Sequence, residues 1–325
     1  MLRPYAWLIL VLSGIGGVAQ AAGPSLVWGG SGFKELVADS HREVPDAPAF
    51  IPWFQAAFAR AYTFSLDSAL LRWKKEGAEA AALELHRAVK RLLPRFSLKR
   101  GYEFAYAALR GERQCLLQSV LLAALLEKMG FSAGVYMVYQ NPEGKESNLG
   151  HAVTVLKLGQ KDLLVDASDP TPFVEHRGLF AQVGGVYRFL KPVYSEDHAI
   201  LRYVDVGRGQ TLKPEEVTPL PFSFVRSQFY YYRGEQTPGG FLGPATPQGL
   251  ARSEAFLRRA GPLEPKNPLA TYLLGLVLKK EGREEEAKAL LRKALDLYGQ
   301  AGYIPPGPRN ASASLQPAPL PFSWR

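Results

Sequence analysis

The chain has 325 residues, 47% of them apolar, and a formal net charge of +9. That length suits one large domain plus a smaller one, with enough apolar residues for a sizeable core. The charge includes no basic run of five or more residues and no nucleic-acid-binding motif, which argues against nucleic acid and fits an anionic envelope polymer, lipid head groups or a plain solvated surface.

Residues 1–22 read as a secretory signal peptide, with Arg3 at the start, an apolar run from Tyr5 to Ile15 and an A-x-A site at Ala19-Gln20-Ala21. The expected location is periplasmic or extracellular after cleavage; left uncleaved, the segment would be an N-terminal membrane anchor. A first domain is expected over 23–233, beginning with a helical region. The pattern is weak over 23–52, and helices follow at 53–61, 66–75 and 78–93. In the last of these, Ala81, Leu85, Ala88, Val89 and Leu92 recur at helical spacing, which is packing. His86 on that helix reads as a partly exposed structural residue. A further helix at 102–109 leads into a polar loop, 110–114.

Cys115, the single cysteine, opens a Leu- and Ala-rich segment that runs to Met129 before Gly130. Its composition predicts a helix, apolar around nearly its whole circumference and therefore buried. Cys115 then sits at the N-terminus, where free backbone N–H groups and the macrodipole favour a thiolate over a thiol. The Cys115 N–H and, more weakly, Gln114 are candidates to hold an oxyanion. An exported chain with one cysteine cannot form an internal disulfide, so the residue is either deeply buried or chemically used.

Strands are predicted at 134–140, 151–158 and 162–167, the last two forming a hairpin about Gly159. A two-residue turn puts Asp166 opposite Val153, on the face of His151 and diagonal to it; a three-residue loop puts Asp169 opposite His151 instead. Spacing alone leaves Asp166 and Asp169 as rivals. His176 and His198 are lesser alternatives to His151.

A prolyl loop spans 167–173, and further strands are expected at 185–194 and 199–206. The aromatic cluster from Phe222 to Tyr232 reads as core or a domain interface, or as a substrate-binding wall. A Gly- and Pro-rich linker, 234–248, precedes helices over 249–300. In these, Gly275, Gly282, Ala287 and Ala294 stand where a tetratricopeptide repeat places its small residues, and Leu274 and Leu291 where it places large ones. The module resembles one such repeat preceded by half of another, which calls for docking on the main domain or on a protein partner. The Pro-rich tail, 301–325, is expected to be disordered after Ile304.

A cysteine opening an apolar helix, His151 within Gly150-His151-Ala152 and Asp166 within Leu164-Val165-Asp166 together resemble the transglutaminase-like superfamily, as does Ser119 four residues after the cysteine. Arg113 and Val153 depart from its usual glycine and aromatic. The resemblance implies an α+β fold with a papain-like core, a buried helix packed on an antiparallel sheet. It also implies a triad of nucleophile Cys115, base His151 and orienter Asp166, and it favours Asp166 over Asp169. The implied activity is peptidase, amidase or acyl-transfer chemistry on the amide bonds of a protein or peptide, without cofactor or metal. The alternative is a non-catalytic envelope module that binds a partner through its repeat and keeps a vestigial thiol site.

Overall fold

The structure, a computed structural model, describes residues 26–313. The segment read as a signal peptide and the end of the tail lie outside the described residues. The fold is α+β. Its first part is helical: α1 (Ser31–Glu43), α2 (Phe50–Tyr62), α3 (Leu66–Glu76) and α4 (Ala78–Leu92). Helix α1 was not legible as a pattern. It forms because Phe33 and Leu36 bury one face, against an aromatic cluster that includes Trp28, Phe50 and Phe54. The short strands β1 (Arg95–Phe96) and β2 (Glu112–Arg113) pair on either side of α5 (Phe104–Arg110).

Helix α6 (Cys115–Lys128) is the centre of the molecule. Every residue from Cys115 to Leu126 is buried, so the all-round apolar sequence has an all-round partner. Gly130 takes φ +88°, and the Gly130 and Phe131 N–H groups close the C-terminus on the carbonyls of Glu127 and Leu126. One side of α6 packs on α4 and another on the sheet strands β3 (Ser132–Gln140) and β4 (Glu146–Lys157).

The sheet continues through β5 (Asp162–Val165), β6 (Gly178–Val183), β7 (Val186–Tyr194), β8 (Ile200–Asp205), β9 (Thr211–Leu212) and β10 (Val217–Thr218). The order is β10-β6-β3-β4-β5-β8-β7, all antiparallel, and β7 also pairs with β6. The sheet thus curls onto itself around a second core that includes Tyr136, Val153, Val155, Leu164, Leu190 and Tyr203. Strand alternation divides the two cores: Val135 and Met137 face the helices, Tyr136 and Val138 the enclosed side.

The aromatic segment is a largely buried helix, α7 (Phe222–Glu235). It packs against α8 (Pro247–Leu263), which packs on α9 (Pro268–Lys280), which packs on α10 (Glu284–Gln300). Helices α7 and α8 thus form a packed pair ahead of α9 and α10. The segment read as a linker is a folded connection: Thr246 N–H bonds Gly239 O at 2.7 Å, and Gly249 lies against the Gly239 backbone. The chain beyond Ile304 was expected to be disordered. Up to residue 313 it forms α11 (Pro306–Ala313), which packs on β4 and α10. Among the described residues no helix is long and apolar enough to cross a membrane.

Candidate active site

The two-residue turn at Gly159-Gln160 fixes who meets His151. The ladder pairs Lys157 with Asp162 and Thr154 with Val165, and Leu158 N–H bonds Lys161 O at 2.9 Å. Asp166 follows in the same register, and its Oδ2 lies 2.7 Å from His151 Nε2. His151 is not at a strand start as expected. Strand β4 begins at Glu146, and a bulge in β3 between Val138 and Gln140 lets the longer strand pair on both sides of it.

Asp169 is not an orienter. Its carboxylate caps its own loop, on the Thr171 N–H at 3.0 Å and hydroxyl at 2.9 Å. Its carbonyl accepts from His86 Nε2 at 3.1 Å and from Lys90, which tie the prolyl loop to α4. His86 is accordingly buried, where partial exposure was expected. His198 is exposed and pairs with Glu175 at 2.8 Å, away from Asp166.

His176 does not replace His151 but joins it. Its Nε2 lies 2.9 Å from the same Asp166 Oδ2, while Oδ1 accepts from Ser168 N–H at 2.8 Å. Burial works against the Asp166 carboxylate, yet the two imidazoles hold it well below the usual carboxylate range. Burial likewise disfavours the His151 imidazolium, but hydrogen bonds to Asp166 and Cys115 outweigh it and push its pKa up to about 10. With Nε2 on Asp166, Nδ1 is the nitrogen left for the thiol.

Cys115 is the first residue of α6, so its N–H has no intrahelical acceptor. Gln114 is the N-cap, its Oε1 accepting from Leu116 N–H at 3.2 Å. Tyr232, read from the sequence only as part of an aromatic cluster, arrives from α7. Its Oη donates to Gly150 O at 3.0 Å and lies 3.8 Å from Cys115 Sγ. Burial and the adjacent sulfur raise its pKa well above the ordinary value, so it keeps one proton to give. Cys115 is 6% exposed while the His151 side chain keeps 27%, so the imidazole is the more open edge of the site.

The helix and the histidine strand are tied together directly. Ser119 Oγ donates to Ala152 O at 2.9 Å, and Thr154 Oγ1 donates to Ser119 O at 3.0 Å. Arg113 does not cover the thiol; it turns to Gln118 at 2.8 Å and Leu93 O at 2.8 Å. Gln118 in turn donates to Ser168 beyond Asp166 at 3.3 Å.

The ligand atoms of His151, Asp166 and His176 lie within 4.8 Å of one another, close enough to share a metal ion. Both Nε2 atoms already meet Asp166 Oδ2, so a cation there would have to displace two N–H···O hydrogen bonds.

No protein-family model matches the chain, and no curated protein matches it. Among solved structures the chain is similar to menin, in a crystal structure that reveals the binding site for the Mixed Lineage Leukemia protein. The TM-score is 0.43 at 11% identity, over 86% of this chain. The chain spans 63% of the length of that menin chain.

Proposed function

We propose that this protein is an exported transglutaminase-like thiol enzyme with a papain-like core, acting on amide bonds of a protein or peptide. One observation carries the reading: the Asp166 carboxylate holds the His151 imidazole at 2.7 Å, beside a cysteine that opens a buried helix, where its N–H has no intrahelical acceptor. Cys115 attacks the amide carbon and forms a C–S bond. His151 Nδ1 delivers its proton to the departing amine as the C–N bond breaks. Water or an amine then attacks the thioester, His151 takes the proton, and the Cys115 sulfur is released. The Cys115 N–H meets the oxyanion, with the Tyr232 hydroxyl beside it. Asp166 holds the imidazole orientation and stabilises its cationic form.

The second reading, a non-catalytic interaction module, is favoured by the cover that Tyr232 places over a nearly buried sulfur. Iodoacetamide alkylation of Cys115 against pH, in the wild type and in His151→Ala, separates the two. Fast alkylation well below pH ~8.5, the ordinary thiol value, and lost in the variant, supports the enzyme. Slow alkylation indifferent to the variant rejects it in favour of the module.

A further inference from the structure

A cavity of about 550 Å³ opens beside the site, within the size range of ligand pockets. Tyr102 lines it and stacks on Tyr232, with ring centroids 5.6 Å apart. Tyr232 in turn touches the Cys115 sulfur, so two stacked rings separate the cavity from the thiol.

The cavity wall has more cations than carboxylates: Lys99, Arg100, Arg233 and Arg252 against Glu43 and Glu103. Both carboxylates are engaged. Glu103 accepts from Arg233 Nε at 2.6 Å and Nη2 at 2.8 Å, and Glu43 lies 3.9 Å from Arg252 and 3.7 Å from Arg259. Arg100 is taken up by Glu112, at 3.0 Å from its Nε and 2.6 Å from its Nη2, so the remaining capacity lies with Lys99, Arg233 and Arg252. Arg233 is 3% exposed, and its Nη1 has no hydrogen-bond partner. Lys99 makes no ion pair or side-chain hydrogen bond among the described residues. A buried guanidinium N–H without an acceptor is costly, and a planar carboxylate is the acceptor it suits best. Tyr106 and Phe256 supply apolar wall for the rest of a ligand.

We propose that this cavity binds the carboxylate of an acidic peptide, and that the anchored peptide is what the site presents to Cys115. The second half rests on the thiol reading above; the binding itself does not. The carboxylate belongs either to an acidic side chain or to the peptide C-terminus.

The test uses the full chain carrying Cys115→Ala, so that nothing turns over. Fluorescence anisotropy is read with three labelled peptides: Ala-Ala-Glu-Ala amide, Ala-Ala-Gln-Ala amide, and Ala-Ala-Gln-Ala with a free C-terminus. At least one acid form should bind about tenfold more tightly than the neutral amide, and which one does so identifies the source of the carboxylate. Lys99→Met and Arg252→Met, at exposed side chains, should together erase that preference. Equal affinity for all three peptides would overturn the proposal. So would a preference that survives the double variant, or displacement by inorganic phosphate as effective as by glutarate. Alkylation of the wild-type thiol is measured separately: an inert Cys115 with intact acidic-peptide binding would reject the enzyme and leave the cavity assignment standing.

Discussion

Replacing Asp166 with Asn tests the electrostatics of the site most directly. Asp166 Oδ2 accepts from two imidazoles, at 2.7 and 2.9 Å, and Oδ1 from Ser168 N–H at 2.8 Å. The amide has no charge, and one of its two ends must turn a donor toward a donor. The rise of His151 from 6.5 to about 10 corresponds to about 5 kcal/mol of preference for the imidazolium, at about 1.4 kcal/mol per tenfold change. Cys115 shares that effect, so Asp166→Asn should lose about 2 kcal/mol of stability through His151, to order of magnitude. The loss depends on pH. His151 is held above its unfolded value of 6.5, so its contribution is complete below that pH and fades as pH climbs toward 10. Asp166 is held below its unfolded value of 3.8, so its contribution is present above that pH and fades in acid. Urea unfolding followed by tryptophan fluorescence, with Trp28 and Trp73 in the core, should show the largest deficit between these two values. Alkylation of Cys115 near pH 6 should slow at least about tenfold, the equivalent of roughly 1.4 kcal/mol. A deficit that is flat with pH, or grows toward pH 9.5, would refute the ion-pair account.

Tyr232→Phe removes the donor to Gly150 O and should cost about 1 kcal/mol; iodoacetamide should then reach Cys115 faster, and a slower reaction would show that the hydroxyl assists the sulfur. Arg233→Met leaves the buried Glu103 carboxylate without its guanidinium and should cost ~3–5 kcal/mol in urea unfolding. A smaller loss is expected when Glu103→Gln is added to it. Ser119→Leu overfills the contact between α6 and β4 and breaks the bond to Ala152 O. It should cost ~1–3 kcal/mol, read as a lower Tm with a displaced His151 and slower alkylation.

The buried helix, its glycine stop and the hairpin were legible because each is written locally. Twelve consecutive buried positions, Cys115 to Leu126, produce a composition that only a central helix accommodates. Turn length left Asp166 and Asp169 open, since local residues do not state how many of them a turn consumes; the ladder decides. His176 was read only as a rival to His151, and Tyr232 only as one of an aromatic cluster, for a different reason. His176 follows an irregular prolyl loop, and Tyr232 lies 117 residues from the cysteine it touches, so neither proximity is encoded in any local period. The α7 helix was obscured by its aromatics, which suit strands as well as helices; burial against α8 and the core overrides that preference. Helix α1 had too narrow an apolar stripe to stand out, and two of the rings around Phe33, Phe50 and Phe104, come from distant helices.

The tip of the β4–β5 hairpin carries an unusual constraint for a surface turn. Gly159 there adopts φ +75°, with nothing within 4 Å of where a Cβ would lie. Gln160 beside it is exposed. Many exchanges of Gln160 should pass unnoticed. A change of length should not: one residue added or removed rotates every later side chain of β5 to the opposite face and swings Asp166 away from His151. A single-residue insertion at this tip would therefore disarm the site from a distance, while the same insertion in the 142–145 loop, ahead of β4, leaves the spacing from His151 to Asp166 untouched.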